Sequence, residues 1–398
     1  MNDQKKLNNS SLQPKLGSDF QCVAEKCALS CCVGWNVALD KETYRQYKKD
    51  ADLAQNVTKK VHGISRSSQA FGSIKRNAGG ECSMLTPEGL CSVQKSLGEK
   101  ALSKTCGTFP RENVQFHNLN IRSFTTNCPE VARLTVASKD AMRLVDQPMA
   151  KKGENRQFVF RRGSFSSNEK NLFFAIYDFV STSSLPMWKK IIAARSVIAA
   201  VDGSTLLSEG HFAAILFEKQ LELSPAELEF DPTLIQWECL VPTMIERSLL
   251  NYMNNPLKTL ETSGTTDGEI GSSNDISQKP LLEVFMKKRG LLFRPSQLNK
   301  DWVWTNLFLS ELLVSIDKFN SKHALEAFDL SVLRLALIKF TYICALTPEK
   351  IDDPAYLGLV SAIVTRKIKD CGPMFKQVME DLRSKYGDRG PIVPLLVA

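Results

Sequence analysis

The sequence predicts a mainly α chain in which a cysteine-rich N-terminal module, residues 1–140, precedes a mostly helical region, residues 141–398. Two observations carry this prediction. Eight of the eleven cysteines lie at or before residue 128. From about residue 167 onward, apolar residues recur every three or four positions, as they do on the buried face of a helix. Strand-like alternation is scarce, and the segment RQFVFRR (156–162) is the best short candidate for a strand.

One helix is predicted inside the N-terminal module, over the segment DKETYRQYKKDADLAQNV (40–57). Asp40 is placed to cap its first turn, because a carboxylate there accepts hydrogen bonds from backbone N–H groups that lack helical partners. Tyr44 and Tyr47 lie on one face of this helix. The cysteines on either side of it therefore sit on loops that must fold back towards each other.

The C-terminal region contains two long helical patterns. The first, over 301–319, is expected to bury one face, and the second, over 330–346, repeats the same spacing. A capping box is predicted from Ser224 to Glu227, and the Ser-, Thr- and Gly-rich segment 259–279 is predicted to be a flexible loop. The apolar residues of the two long patterns are Trp304, Phe308, Leu312, Ile316 and Phe319 in the first, and Leu333, Leu337, Phe340 and Cys344 in the second.

Composition restricts the class of protein. With 43% hydrophobic and 24% charged residues, the chain has the make-up of a globular protein. No apolar run is long enough to cross a bilayer, and the N-terminus lacks the apolar core of a secretory signal. We therefore expect a cytoplasmic location and no membrane partner. The net charge of +8 is spread over scattered basic dipeptides, which predicts no nucleic-acid partner.

Seven cysteines in the N-terminal module are candidate metal ligands. Disulfides are disfavoured because cytoplasmic reductants keep thiols free. Structural zinc commonly uses two Cys-x-x-Cys pairs, which are missing here, although zinc is not excluded. Closely spaced thiols with further thiols from other loops suit a cluster of iron and sulfide, and Cys27-x3-Cys31 matches part of the spacing found in radical S-adenosylmethionine enzymes. The candidates are Cys22, Cys27, Cys31, Cys32, Cys82, Cys91 and Cys106.

Two strings within this module resemble the flagellin lysine-N-methylase family. They are CVGWNVALDKETYRQY (32–47) and GLCSVQKSLGEKALSKTCGTFPR (89–111). The resemblance covers residues 22 to about 130. It rests on paired cysteines before Gly-Trp, a Gly-Leu-Cys, a Thr-Cys and a final Phe-Pro-Arg.

The resemblance implies an S-adenosyl-L-methionine-dependent lysine methyltransferase that acts on surface lysines of flagellin. It also implies a [4Fe-4S] cluster held by the N-terminal cysteines, which raises the possibility of a reductant as a second partner. It does not identify catalytic residues, and it leaves open whether methyl transfer is radical or polar. The chain lacks the Gly-rich loop of conventional methyltransferases with a Rossmann fold.

Arg111, at the end of the second string, is the candidate cofactor-binding residue, because a guanidinium can hold a carboxylate through two parallel hydrogen bonds. A structural salt bridge is the competing explanation for this arginine. For the whole chain, the alternative to an enzyme is a helical binding module that zinc or a cluster stabilises and that catalyses nothing.

Overall fold

A computed structural model of the chain describes residues 10–33, 36–63, 71–78, 80–116, 119–148, 160–162, 166–201, 212, 215–216, 285, 287–288, 291, 300–320, 322–369, 377–380, 382–384 and 387. They belong to two compact units. The first unit comprises residues 1–13, 21–123 and 146–161, and the second comprises residues 14–20, 124–145 and 162–398, as far as each is described. The domains proposed from the sequence, 1–140 and 141–398, stay a prediction.

Helices make up most of the described regular structure, which confirms the mainly α prediction. The helices are α1 (Leu16–Asp19), α2 (Lys41–Lys49), α3 (Ala54–Lys60), α4 (Ser92–Leu97), α5 (Lys104–Thr108), α6 (Pro129–Thr135), α7 (Ser167–Thr182), α8 (Met187–Ala200), α9 (Asp301–Val314), α10 (Ala324–Ala345) and α11 (Pro354–Lys369). The strands are β1 (Ser10–Pro14), β2 (Ala38–Leu39), β3 (Val61–His62), β4 (Gly72–Ile74), β5 (Arg111–Phe116), β6 (Leu119–Phe124), β7 (Leu144–Pro148) and β8 (Phe160–Arg162).

The strands form two sheets that the sequence analysis did not predict. The larger has five strands in the order β7-β1-β6-β5-β8. Within it β1 runs parallel to β6, and Leu12 lies opposite Ile121. The smaller has the order β2-β4-β3 and is antiparallel, with Leu39 opposite Gly72. Only the strand predicted at 156–162 was anticipated, and it is confirmed over β8.

In the first unit, the predicted helix over 40–57 is two helices, α2 and α3. As expected, Asp40 caps α2, since its Oδ1 accepts a hydrogen bond from the backbone N–H of Thr43 at 2.8 Å. The helix ends at Lys49 because the side chain of Asp50 accepts a hydrogen bond from the backbone N–H of Leu53 at 2.9 Å, which forms a turn that competes with helix. Tyr44 and Tyr47 are both buried, which confirms their shared face.

In the second unit, α10 buries its predicted apolar stripe, but α9 differs from expectation. Nearly the whole circumference of α9 is buried, including the polar Thr305, Asn306 and Glu311. The reason is that α9 packs against α6, α7, α8 and α10, whereas the apolar spacing alone indicated one buried face.

Two predictions fall outside the described residues, namely the capping box from Ser224 to Glu227 and the loop at 259–279. Every helix that the structure describes is too short or too polar to traverse a lipid bilayer.

Helices α6 and α11 of the second unit approach closely at Gly358. A Cβ atom at this position would lie 2.7 Å from the backbone nitrogen of Arg133 and 2.8 Å from its Cα. Both are backbone atoms, so the helices must separate to accept a methyl group.

We expect Gly358→Ala to lower the free energy of unfolding by about 1–3 kcal/mol, although alanine is the better helix former by about 1 kcal/mol. Urea unfolding measures the change. Ala355→Gly at an exposed site of α11 reports helix propensity alone. A Gly358→Ala chain as stable as the wild type would show that the two helices separate without penalty.

Candidate functional site

The N-terminal cysteines lie around a small apolar core in the first unit. Tyr47 is central to this core, and its hydroxyl donates a hydrogen bond to the carbonyl of Ala101 at 2.8 Å. Cys82, Cys91 and Cys106 pack against the core and are half-buried. The buried residues that form it are Val37, Leu39, Tyr44, Tyr47, Leu53, Val57, Val61, Ile74, Met84, Val93 and Ala101.

A tight turn brings Cys82 and Cys91 onto neighbouring stretches of chain. The backbone N–H of Leu85 donates to the carbonyl of Cys82 at 3.1 Å, and Leu85 pairs with Cys91 in an isolated antiparallel bridge. The turn between them requires Gly89, whose φ of +78° is a conformation that other residues rarely adopt. Two thiols separated by eight intervening residues therefore lie on adjacent segments.

Backbone contacts and a helix cap place the other thiols. The N–H of Cys82 donates to the carbonyl of Cys32 at 2.8 Å, so the adjacent Cys31 and Cys32 reach the same region. Cys106 lies in the first turn of α5, which begins at the capping residue Ser103. The hydroxyl of Ser103 accepts a hydrogen bond from the backbone N–H of Cys106 at 3.3 Å.

Neighbouring thiols and burial both raise the pKa values of these cysteines. The hydrogen bond with Cys31 raises the pKa of Cys32 most, followed by burial and then by the charges of Cys31, Cys91 and Cys82. Burial raises the pKa of Cys82, and the charges of Cys91 and Cys31 add to the shift.

Burial also raises the pKa of Cys106 to about 11, against the lowering effect of Ser103 and with smaller contributions from Cys91 and Cys82. Cys31 acts on all three of these thiols, and so does Cys91. Cys91 also contributes to the raised pKa of Tyr47, for which burial is the largest cause. Five of the seven predicted ligands therefore lie in one region of the first unit: Cys31, Cys32, Cys82, Cys91 and Cys106.

The remaining two predicted ligands lie on the preceding loop. Cys22 is exposed, and Cys27 is half-buried. The thiol of Cys27 donates to the carbonyl of Leu29 at 3.1 Å. A 3-10 turn, Ala24–Lys26, separates the two.

The thiols match the metal group that the sequence implies in their chemistry but not in their arrangement. Soft thiols are the donors that iron–sulfur clusters and zinc take, so the chemistry of the five thiols fits. Over the described part of the chain, however, no three His, Cys, Asp or Glu side chains stand where they could together hold a metal ion. The thiols with raised pKa values keep their protons at neutral pH, and metal ligation requires their removal.

Two acidic residues of the N-terminal module have structural positions. Asp40 caps α2 through the hydrogen bond described above, and Glu99 begins a 3-10 turn, Glu99–Ala101. Trp35, next to the cysteine pair, lies outside the described residues.

Arg111 begins β5 and is half-buried. Its guanidinium lies close enough to Arg122 on β6 to lower the pKa of Arg122, an effect second to burial. Sequence reasoning missed Arg122 and its hydrogen-bond partner Asn113. The alternation of apolar and polar residues over 119–124 was the signal that could have revealed them.

Comparison with known proteins finds relatives for part of the chain. It is 34% identical over 166 residues to the flagellar biosynthetic protein FliU of Salmonella muenchen, a match that covers 41% of this chain and 96% of that protein. It is also 34% identical over 151 residues to lysine-N-methylases of Salmonella choleraesuis and Salmonella typhimurium. These matches cover 37% of this chain and 38% of each methylase. No protein-family model and no solved structure matches the chain.

Proposed function

This chain belongs to the family of the flagellar biosynthetic protein FliU, and on that premise we propose that it is a protein-lysine N-methyltransferase acting on surface lysines of flagellin. The observation that carries the proposal is the 34% identity to two proteins named lysine-N-methylase. The flagellar name of the first relative supports flagellin as the substrate. Because the chain spans only 38% of each methylase, activity and substrate are both proposals.

The proposed methyl donor is S-adenosyl-L-methionine. In polar transfer, the lysine nitrogen attacks the methyl carbon of the sulfonium, a C–N bond forms, and the C–S bond breaks with its electron pair left on sulfur. The products are methyl-lysine, S-adenosylhomocysteine and a proton released to water. The attacking nitrogen must be neutral, and a lysine ammonium has a pKa of about 10.4, so the enzyme must remove a proton and align the two reactants.

We further propose that the converging thiols hold a [4Fe-4S] cluster. Cys82, Cys91 and Cys106 are the leading ligands, because the apolar core of the first unit supports all three. The pair Cys31–Cys32 contributes one more, since adjacent residues rarely direct both side chains to one point. Cys22 and Cys27 are the further candidates. A cluster bound there would supply an iron to anchor the methyl donor and, with an electron-donor protein as partner, reducing power for a radical route.

The chain itself supplies a partly buried setting for this chemistry. The apolar core limits access of water to Cys106 and Cys91, and the cap at Ser103 orients the first turn of α5. The hydrogen bond from Tyr47 to Ala101 holds α2 against the segment that leads into α5. The proposed location is the cytoplasm, with no membrane and no nucleic-acid partner.

The test begins with the full chain purified without oxygen, in which iron, sulfide and zinc are measured. Flagellin is then incubated with the protein, S-adenosylmethionine labelled in the methyl group, and a chemical reductant. We expect iron and sulfide in equal amounts and labelled methyl groups on flagellin lysines, located by mass spectrometry. Flagellin with acetylated lysines is the matched control and should stay unlabelled. Zinc without iron, together with unlabelled flagellin, would favour the binding module over the enzyme.

A further inference from the structure

The central strands of the five-stranded sheet carry polar side chains on one face. The parallel register sets Leu12 opposite Ile121, so the following residues, Gln13 and Arg122, are neighbours. Because side chains alternate between the faces of a strand, Gln13 and Arg122 lie on the face opposite to Leu12 and Ile121. A hydrogen bond places Asn113 of β5 on the same face as Arg122.

These side chains contact one another through Arg122. Its Nε donates to Oδ1 of Asn113 at 3.0 Å, and its Nη1 donates to Oε1 of Gln13 at 3.4 Å. Both acceptors are neutral amides. Asn113 and Gln13 are buried, each 2% exposed, so this polar group lies within the protein rather than on its surface.

The amide nitrogen of Asn113 is a buried donor without a hydrogen-bond partner. The orientation of this amide is fixed, because turning it over would point its NH₂ group at Nε of Arg122, which is itself a donor. A buried donor without a hydrogen-bond partner destabilises the folded state. A bound ligand, an ion or an ordered water usually satisfies such a group in a folded protein.

A second guanidinium adds positive charge to the same face. Arg111 precedes Asn113 by two residues on β5 and so points to the same side of the sheet. Burial, and after it the charge of Arg111, lowers the pKa of Arg122. Two guanidiniums on one face of a sheet can both donate hydrogen bonds to an anion bound there.

We propose that this polar face, formed by Gln13, Arg111, Asn113 and Arg122, binds a carboxylate. Two guanidiniums and one amide NH₂ offer planar, paired donors, which match the two oxygens of a carboxylate. Resting on the function proposed above, the carboxylate is that of the methionine part of S-adenosylmethionine. Arg122 and Asn113 then join Arg111 as donor-binding residues.

The test compares two ligands that differ only in this group, S-adenosylmethionine and its decarboxylated form. Calorimetry on the anaerobically purified full chain should give at least about tenfold tighter binding of the carboxylate form, the effect of one charge-assisted hydrogen bond or more. Asn113→Leu, which has a similar shape and no donor, should remove that preference. Asn120→Leu, the same change at another buried asparagine of this sheet, is the control and should keep it.

Asn113→Asp is a second variant, which shows whether weaker ligand binding can arise without a folding defect. An aspartate would pair with the arginines, so we expect a higher melting temperature together with weaker binding of the carboxylate ligand. A structural role alone would raise the melting temperature and leave ligand binding unchanged, and this result would overturn the proposal.

The failure of this proposal can be told apart from failure of the proposed function. If the wild type binds both S-adenosyl compounds equally, the carboxylate site is wrong while the methylase stands. If it binds neither, the methylase proposal fails, and thermal shifts with methionine and methioninol decide the site. If methionine raises the melting temperature of the wild type and methioninol does not, and Asn113→Leu loses this effect, the carboxylate site is supported. If methionine and methioninol have equal effects, the site is overturned.

Discussion

Cys91→Ser is expected to lower methyl transfer to flagellin by about a hundredfold or more, together with the iron bound per chain. Cys91 and Cys31 both influence the pKa values of Cys32, Cys82 and Cys106, and of the two it is Cys91 that packs against the apolar core. Serine has almost the same shape but offers a hard oxygen where a soft thiolate is needed. Iron analysis and the labelled-methyl assay, run on the same anaerobic preparation, measure both effects.

Cys344→Ala is the control for this prediction. Cys344 is fully buried in α10, in the second unit, where burial raises its pKa. Its replacement should reduce stability by about 1 kcal/mol and leave iron content and activity unchanged. If Cys91→Ser retains its iron and its activity, Cys91 is not a ligand, and Cys22 and Cys27 become the leading candidates to replace it.

Asp329→Asn is expected to reduce the free energy of unfolding by about 3–5 kcal/mol. Asp329 is completely buried, and its two oxygens bind Arg195, with Nε at 2.8 Å from Oδ1 and Nη2 at 3.1 Å from Oδ2. Arg383 approaches Oδ2 at 3.2 Å. The amide keeps the shape of the carboxylate but removes the charge, which leaves guanidiniums in the second unit without their counter-ion.

Urea unfolding followed by circular dichroism measures this loss. Asp178→Asn makes the same change at an exposed site on α7 and should alter stability by no more than about 0.5 kcal/mol. The double variant Asp329→Leu with Arg195→Met replaces the central ion pair with apolar groups and should recover part of the loss. A change below about 1 kcal/mol for Asp329→Asn alone would mean that water reaches the pair.

Local chemistry made several elements predictable. Asp40 caps α2 as expected, since a carboxylate at that position satisfies backbone donors of its own first turn. The stripe from Leu333 to Cys344 is buried in α10 because its spacing matches the helical repeat. Both features depend on residues within a few turns of chain, and the information for them is therefore local.

The sheets could not be predicted in the same way. β1 pairs with β6 although more than a hundred residues separate them, and the short strands β2, β3 and β4 carry too few residues for an alternation to stand out. The break between α2 and α3 was also missed, because the helical spacing continues through Asp50 while its side chain forms a competing turn.

The sequence by itself determined the mainly helical class, the caps, and the cysteines from which a metal site can be built, because these follow from residue type and short spacing. Only the tertiary structure decided that Cys31, Cys32, Cys82, Cys91 and Cys106 lie in one region of the first unit while Cys22 and Cys27 lie on the preceding loop. It also decided that Arg122 and Asn113 share a buried face of a sheet. Such groupings arise when strands and turns far apart in the chain pack on one apolar core, and no local pattern encodes that pairing.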